Sequence, residues 1–243
     1  MASYDATINI HLKNMTQTVW IARHGNRLDF VNPEWFNTAP KPYDPPLSED
    51  GIIQARELAT RLKREKIAHI FASPFLRTVQ TANEIAEVLD LPIKLEAGIC
   101  EWLNPDWMTE TPETHPQKWL KQQYTLIDNS YQSRMQPRYP ETEQKLYQRT
   151  ADTVNKLVAE FSEDILLIGH GASVLGMTRG LVSEDIIFKV SLCSLTKIVE
   201  CEFTKDVSRQ EKMGDAKRDF NWQIELTADT SHLSQTEQQI RFN

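Results

Sequence analysis

The chain has 243 residues, a length that fits one large α/β domain or two small domains. Hydrophobic residues make up 40% of the chain and charged residues 25%, so it can bury a substantial core. The formal net charge of −7 argues against a nucleic acid or an anionic membrane as the main partner. It leaves a small phosphorylated substrate open, because a local cluster of arginines outweighs a distant net field.

The cysteines and the N-terminus indicate the cellular compartment in which the protein folds. Cys100, Cys193 and Cys201 form no Cys-x-x-Cys pair, which favours a reducing cytosol over a disulfide framework. The polar N-terminus lacks the apolar centre of a secretory signal. No apolar run approaches the roughly 18 residues that a membrane-spanning helix needs. We therefore expect a cytoplasmic protein without a membrane partner.

The first predicted strand is the apolar run Thr18–Ile21, which leads into an Arg-His-Gly-x-Arg motif at 23–27. The glycine lets the backbone turn sharply where the strand ends. Two guanidinium groups suit a phosphate dianion, whose oxygens match their planar forks, better than they suit a metal cation. They also disfavour the charged imidazolium, which keeps His24 neutral and available as a nucleophile.

The next predicted elements are a loop, a helix, a strand and a second helix. Five prolines between Phe30 and Pro46 exclude a long helix and predict an ordered loop. Ser48 is expected to cap a helix that runs to about Lys66, and the strand Ile67–Ala72 follows. Ser73 and Pro74 are expected as the N-cap and first residue of a helix that continues to about Leu89.

The rest of the chain continues the alternation of strands and helices. The predicted elements are a strand at Ile93–Leu95, an irregular region at Gly98–Pro140 with a helix near Gln117–Tyr124, a helix at Glu141–Phe161, a strand at Asp164–Gly169, a helix at Ala172–Leu181, and strands at Leu195–Phe203 and Phe220–Leu226. This order predicts an α/β fold with a mostly parallel sheet flanked by helices on both faces. We expect one domain at 18–227, between a flexible N-terminal segment at 1–17 and a polar C-terminal tail at 228–243.

Polar residues follow three of the predicted strands. His24 follows the first strand, Arg77 lies in the first turn after the second, and His170 follows the strand that ends at Gly169. Ligands of open α/β sheets bind beyond the carboxyl ends of the strands. Three of the eight glycines of the chain directly flank these two histidines, which predicts a close backbone approach to a ligand. We expect the three residues to share one site.

These motifs, in this order, resemble the histidine phosphatase superfamily, which has the phosphoglycerate mutase-like fold. The resemblance runs from about Val19 to Phe203. It is carried by Arg-His-Gly at 23–25, Pro-Leu-Ser-Glu-Asp-Gly at 46–51 with Gln-Ala at 54–55, the block Ser-Pro…Arg…Gln-Thr-Ala at 73–82, and Gly-His-Gly at 169–171. Within the superfamily, the Arg-His-Gly-x-Arg motif and Ile-Cys-Glu-Trp at 99–102 are most similar to the phosphatase domain of the suppressors of T-cell receptor signalling.

The resemblance implies a role for each matching residue. It implies that His24 is the phosphorylated nucleophile, that Glu101 is the proton donor, and that no cofactor or metal takes part. His170 is implied both in catalysis and in binding the phosphoryl oxygens. The other implied phosphate ligands are Arg23, Arg27 and Arg77.

The proton donor has competitors in the same region of the chain. Glu96, Glu110 and Glu113 lie close to Glu101 in sequence. Glu101 is favoured because it follows a short β segment and has Trp102, Pro105 and Trp107 beside it. Partial desolvation by these neighbours is expected to raise its pKa, as a general acid requires. A mildly acidic pH optimum would follow.

The resulting functional prediction is a metal-independent, histidine acid-type phosphatase. It would hydrolyse phosphomonoesters through a phosphohistidine on His24, with a small-molecule phosphoester or a phosphorylated aryl compound as substrate. The sequence leaves two interpretations open for the aromatic residues of the two loop regions: they anchor the loops, or they form an apolar wall for a bulky leaving group. These residues are Trp35, Phe36, Tyr43, Trp102 and Trp107.

Several alternatives compete with this prediction. A catalytically silent phosphate-binding or interaction module of the same fold is one, and a phosphoglycerate mutase-type phosphotransferase is another, disfavoured by Asn-Arg-Leu-Asp at 26–29. His24, Glu101 and His170 could instead hold a metal, which the flanking arginines oppose. The stretch 171–178 is similar to a nucleotide P-loop, but Met177 replaces its lysine. No cysteine is followed six positions later by arginine, which excludes a cysteine-based phosphatase. The sequence does not determine the oligomeric state, so a homodimer is one possible assembly.

Overall fold

The computed structural model describes residues 15–201 and 221–235. The strands are β1 (Met15–Arg23), β2 (His69–Ala72), β3 (Ile93–Leu95), β4 (Ile165–Gly169), β5 (Leu195–Cys201) and β6 (Asn221–Asp229). The helices are α1 (Leu28–Val31), α2 (Trp35–Thr38), α3 (Glu49–Leu62), α4 (Leu76–Leu89), α5 (Gln117–Gln123), α6 (Glu143–Glu160) and α7 (Gly171–Val182), with a 3₁₀ turn at Ala97–Ile99.

The described strands form one sheet in the order β3-β2-β4-β1-β5-β6. The neighbours among β3, β2, β4 and β1 pair in parallel, whereas β5 is antiparallel to both β1 and β6. Five of these strands therefore run in one direction and β5 runs in the other. The mostly parallel sheet predicted from the sequence is confirmed.

Helices cover both faces of this sheet, as predicted. Side chains alternate along a strand, so a strand in the middle of a covered sheet is apolar on both sides. Trp20 and Ala22 of β1 join the core beneath α3 and α4, whereas Val19 and Ile21 join the core beneath α6 and α7. Both cores are closed by completely buried leucines, isoleucines and valines of these helices.

The register of the two central strands brings two histidines together. Arg23 of β1 lies opposite Gly169 of β4, and the backbone N–H of His24 donates to the Gly169 carbonyl at 3.1 Å. His24 and His170 therefore leave the sheet side by side at its carboxyl edge.

Helix α4 begins later than predicted. Its N-cap is Phe75, whose backbone is extended, so the assignment of Ser73 and Pro74 as N-cap and first helical residue is wrong. The N–H of Leu76 is satisfied instead by the carboxylate of Asp44 at 2.7 Å, a residue from the proline-rich loop. This arrangement leaves the Ser73 hydroxyl for another partner, described below.

The loop regions contain short helices. The proline-rich stretch holds the single-turn helices α1 and α2 and no long helix, and α5 lies where a helix was predicted in the irregular region. Helix α6 starts at Glu143, after Thr142 accepts the Lys145 N–H as its cap, two residues later than expected.

The predicted domain division lies partly outside the described residues. Strand β1 begins at Met15, inside the predicted N-terminal segment, and β6 extends into the predicted tail as far as Asp229. Leu233 of that tail packs against the core. Residues 1–14 and 236–243, and the predicted strand ends at Phe203 and Phe220, lie outside the description. No helix within 15–201 or 221–235 is long and apolar enough to cross a membrane.

Candidate active site

Four segments converge at the carboxyl edge of the sheet. His24 follows β1, His170 follows β4, Arg77 lies in the first turn of α4, and Glu101 follows the 3₁₀ turn after β3. Pairs of these side chains approach within 3.2–3.3 Å. The structure thus brings together the three strand-end residues expected to share a site, together with the predicted proton donor.

His24 is held in one tautomer. Its Nδ1 lies 2.7 Å from the Gly25 carbonyl oxygen, which can only accept, so Nδ1 carries the proton. Arg77 donates from Nε toward His24 Nε2 at 3.3 Å, so that nitrogen presents its lone pair. Burial lowers the pKa of His24 well below its usual value, and the charges of Arg77, His170 and Arg23 lower it further. The neutral imidazole expected from the sequence is therefore favoured, although burial contributes more than the arginines.

The loop after His24 is fixed by residues of the other sequence motifs. Gly25 donates its N–H to the Thr81 hydroxyl at 3.1 Å, and Asn26 donates its N–H to the Gln54 side-chain oxygen at 2.9 Å. A Cβ on Gly25 would lie 2.5 Å from the Gly51 carbonyl oxygen. Two of the sequence motifs therefore supply the contacts that position the histidine loop.

Arg77 occupies the centre of the site and is almost completely buried. Its Nη2 lies 3.2 Å from Glu101 Oε2 and 3.2 Å from His170 Nδ1. Burial lowers the pKa of Arg77 to about 10, and the nearby Arg27 charge acts in the same direction. The guanidinium therefore stays charged at neutral pH and faces both histidines and the carboxylate.

His170 is buried and completes the base of the site. Its Nε2 lies 2.9 Å from the Ser73 hydroxyl, and its ring meets the His24 ring edge-on with 5.2 Å between centroids. Burial lowers the pKa of His170 to about 4, despite the opposing effect of the Glu101 charge. Ser73, which the sequence indicated only as a helix cap, is thus a partner of a site histidine.

Glu101 differs from expectation in its protonation. Burial raises its pKa, but His170 and Arg77 outweigh that effect and hold the pKa well below its usual range. The carboxylate also accepts the Trp102 N–H at 3.0 Å, a bond that favours the ionised form. The predicted raised pKa is therefore wrong for the free protein, because the sequence did not show two basic side chains in direct contact with this group.

The competing carboxylates lie elsewhere. Glu96 is buried in a separate network with the hydroxyls of Tyr131 and Ser133, both at 2.6 Å. Glu113 pairs with Lys41, and Glu110 is exposed to solvent. Of the four glutamates considered from the sequence, Glu101 alone lines the cleft above the histidines.

Two further arginines line this cleft, and each is tied to the fold. Arg27 forms a two-point ion pair with Asp29, whose carboxylate is almost completely buried, and its guanidinium lies 4.4 Å above the Phe30 ring. Arg23 donates from Nη1 to the Val190 carbonyl at 2.8 Å. The sequence did not identify Asp29 as a partner, although it follows Arg27 by only two positions.

The cleft above the site has a volume of about 670 Å³ and a largely apolar wall. Of the five aromatic residues considered from the sequence, Trp35 serves as an anchor: its indole N–H donates to the Pro42 carbonyl at 2.9 Å. The other four line the cleft. The apolar lining consists of Phe30, Phe36, Tyr43, Trp102, Trp107, Met108, Ala172, Leu175, Phe188 and Val190.

The side chains of His24, Glu101 and His170 could also be considered as metal ligands. Their candidate ligand atoms lie within 4.8 Å of one another. Arg77 approaches all three, and its positive charge opposes a cation in the same position. The same charge favours an anion, which agrees with a phosphate site.

The chain belongs to the histidine phosphatase superfamily. The model of this family, described as branch 1, matches residues 19–216. This match confirms the resemblance drawn from the motifs.

Curated relatives cover much of the chain. The transcription factor tau 55 kDa subunit of Saccharomyces cerevisiae is 32% identical over 188 residues, 70% of this chain and 42% of that protein. The ecdysteroid-phosphate phosphatase of Drosophila melanogaster is 25% identical over 239 residues, 79% of this chain and 31% of that enzyme. Human ubiquitin-associated and SH3 domain-containing protein A, a suppressor of T-cell receptor signalling, is 34% identical over 155 residues. The match covers 57% of this chain and 23% of that protein. The matched part is less than half of each relative.

A solved structure shares the fold. The ecdysone phosphate phosphatase of Bombyx mori in complex with tungstate superposes with a TM-score of 0.65 and 20% identity, over 82% of this chain and 98% of that structure. The predicted phosphoglycerate mutase-like α/β fold is confirmed. Phosphatases thus occur among both the relatives and the fold neighbours of this chain.

Proposed function

We propose that this protein is a metal-independent phosphomonoester hydrolase that works through a phosphohistidine on His24. The main support is the hydrogen bond from His24 Nδ1 to the Gly25 carbonyl at 2.7 Å. It retains the proton on Nδ1, so Nε2 offers a lone pair in a site whose charge is otherwise set by arginines. A neutral imidazole with a fixed lone pair is ready for nucleophilic attack without a separate base.

In the first step His24 Nε2 forms a bond to phosphorus while the bond from phosphorus to the leaving oxygen breaks. Arg23, Arg27, Arg77 and His170 bind the phosphoryl oxygens and stabilise the charge of the transition state. Glu101 transfers its proton to the leaving oxygen, which departs as an alcohol. Because Glu101 is ionised in the free protein, it takes up this proton as the substrate binds: the phosphate charge offsets that of Arg77 and raises the carboxyl pKa.

In the second step Glu101, now a carboxylate, removes a proton from a water molecule. The water oxygen attacks phosphorus, the bond between phosphorus and Nε2 breaks, and inorganic phosphate leaves. His24 returns to its neutral form, and the proton stays on Nδ1, donated to the Gly25 carbonyl, throughout. Arginine side chains supply the positive charge for both steps.

The lining of the cleft supports a substrate with a large apolar body. Trp107 and Phe36 are about half exposed at its rim, where they can cover an aryl or polycyclic group. The volume of about 670 Å³ exceeds the need of a small sugar phosphate and is typical of sites for drug-sized ligands. The Drosophila relative is named for a phosphorylated steroid, a substrate of this shape. The cytoplasmic location remains a prediction from the sequence.

A phosphate-binding module without catalysis is the second candidate. The name of the yeast relative, a subunit of a transcription factor, favours this alternative. The presence of nucleophile, proton donor, His170 and three arginines around one cleft favours the enzyme instead.

The deciding experiment measures hydrolysis of 4-nitrophenyl phosphate with a chelator present. Activity of the wild type, its loss in His24→Ala, and an acid-labile phosphoenzyme trapped from radiolabelled substrate are expected. A wild type that binds phosphate but turns over no substrate between pH 5 and 8 would establish the silent module. Activity that disappears with the chelator would overturn metal independence.

A further inference from the structure

A buried ion pair lies behind Glu101, on the side away from the cleft. Arg149 of α6 donates from Nε and Nη2 to the two carboxylate oxygens of Glu141, each at 2.8 Å. The two side chains are 6% and 4% exposed, and neither lines the cleft. Replacing a buried ion pair with apolar side chains is often neutral for stability, so stability alone does not explain its presence.

The remaining hydrogen atoms of Arg149 point at the segment that carries the proton donor. Nη1 donates to the Gly98 carbonyl at 2.8 Å and to the Cys100 carbonyl at 3.3 Å. Nη2 donates to the Glu101 carbonyl at 3.2 Å. Residues 100–104 belong to no helix or strand, so they lack the regular hydrogen bonds that would otherwise fix their backbone. The Arg149 guanidinium therefore supplies hydrogen bonds to backbone carbonyls that a helix or strand would otherwise supply.

Glu141 fixes the same segment from its other end. Its backbone carbonyl accepts the Trp102 indole N–H at 2.8 Å, and its N–H donates to the Leu103 carbonyl at 2.9 Å. The pair thus determines where Glu101 and the adjacent Trp102 stand relative to the cleft. A shift of about 1 Å in a catalytic group can cost about 10²-fold in rate, so such a support is relevant to chemistry.

We propose that the Arg149–Glu141 pair is a positioning device for the proton donor Glu101. It contacts neither substrate nor reacting atoms, and it acts through the backbone of residues 98–103. The proposal rests on the proposed role of Glu101 in protonating the leaving oxygen. It assigns to Arg149 and Glu141 a function in leaving-group departure that a purely structural ion pair would not have.

The test is a series of phosphomonoesters with different leaving groups. An aryl ester with a very acidic phenol, such as 2,4-dinitrophenyl phosphate, needs no proton on departure, whereas phenyl phosphate does. For Arg149→Met we expect kcat/KM for phenyl phosphate to fall by about 10–10²-fold, since a misplaced general acid loses part of its 10²–10⁴-fold contribution. The value of kcat/KM for the dinitrophenyl ester should change little, because kcat/KM does not include the second step, in which Glu101 acts as base on every ester. Arg149→Lys keeps the charge but not the planar fork, so it should restore only part of the loss.

Several variants keep the outcome interpretable. Glu141→Gln preserves the shape of the side chain. It takes the place of Arg149→Met in the series if thermal unfolding shows that Arg149→Met does not fold. Arg134→Met is the matched control, because it breaks an arginine–glutamate pair with Glu160 outside the site. It should leave the leaving-group dependence unchanged.

Glu101→Gln, measured in the same series, separates the two proposals. If Glu101→Gln shows the leaving-group dependence but the Arg149 and Glu141 variants lose the same factor on every ester, or lose nothing, the positioning role is overturned and the proton donor stands. If Glu101→Gln shows no such dependence, its proposed role fails and the positioning role fails with it.

Discussion

The Nε atom of Arg77 lies 3.3 Å from Nε2 of His24. A guanidinium can only donate, so this contact requires a lone pair on Nε2 and agrees with the tautomer set by the Gly25 carbonyl. Through Nη2 the same guanidinium reaches the Glu101 carboxylate at 3.2 Å. Arg77 therefore joins the proposed nucleophile to the proposed proton donor, and a bound phosphoryl group would share these donors.

Replacement of Arg77 by glutamine should affect both chemistry and protonation. Loss of these donors is expected to lower kcat/KM by about 10²–10³-fold, as for other groups that stabilise transition-state charge. The pKa of His24 should rise, because the Arg77 charge is one of the causes that depress it. Steady-state kinetics and NMR titration of the imidazole test the two parts. Arg56→Gln, which breaks a surface pair with Glu84, is the control and should change neither quantity.

Phosphate binding should be accompanied by proton uptake. In the free protein His170 and Arg77 keep the Glu101 pKa well below its usual range, so the carboxylate is ionised at neutral pH. A bound phosphate offsets the Arg77 charge and raises that pKa, so up to about one proton is taken up and binding weakens as the pH rises. Calorimetry of inorganic phosphate in buffers of different ionisation enthalpy measures this number. Glu101→Gln should abolish the uptake, and an equal uptake in that variant contradicts the prediction.

The pH dependence of kcat should have the same direction as that of phosphate binding. Within the substrate complex Glu101 must be protonated for the first step, so kcat for phenyl phosphate should fall as pH rises through the raised pKa of the complex. On the acidic side, kcat/KM should fall as His24 becomes protonated, at a pH well below the usual histidine value. A kcat profile that is flat up to pH 9 for this poor leaving group would remove Glu101 from the mechanism.

Much of the fold and of the site could be predicted because the signals are local. His24 and His170 each lie directly after an apolar strand, Arg77 lies in the first turn of the helix after another, and parallel strands bring such residues to one edge. The contacts that could not be predicted join distant parts of the chain. Asp44 caps α4 from 32 residues away, and Arg149 reaches the Glu101 carbonyl across 48 residues. No local pattern encodes these contacts, because they depend on how the loops pack.

The ion pair between Arg27 and Asp29 predicts a specific kinetic defect. Asp29 accepts hydrogen bonds from Nε and Nη2 of Arg27, so Asp29→Asn keeps Arg27, the proposed phosphate ligand, but leaves its side chain free to adopt other rotamers. We expect kcat/KM to fall by as much as about 10²-fold, through misplacement of the guanidinium. Glu84→Gln, which removes a carboxylate from a surface arginine, is the matched control. Equal effects of the two variants on kinetics would show that Arg27 needs no partner.

The aromatic rim should determine substrate preference. Trp107 is about half exposed, lines the cleft and meets Trp102 edge-on with 5.0 Å between ring centroids. Trp107→Ala is therefore expected to raise KM for large aryl or polycyclic phosphates while small sugar phosphates are hydrolysed as before. Trp102→Ala should show the same preference together with a lower kcat, because Trp102 directly follows Glu101, the proposed proton donor. Equal losses on both substrate types would assign these rings to loop anchoring only.

The glycines beside the two histidines should tolerate substitution unequally. A Cβ on Gly25 would lie 2.5 Å from the Gly51 carbonyl oxygen, and backbone on backbone leaves little room to adjust. A Cβ on Gly171 would meet Arg23 Cζ at 3.7 Å, an ordinary contact. We expect Gly25→Ala to displace the His24 loop, lowering both the melting temperature and the activity. Gly171→Ala should keep the fold and most of the activity, and comparable unfolding of both variants would contradict this difference.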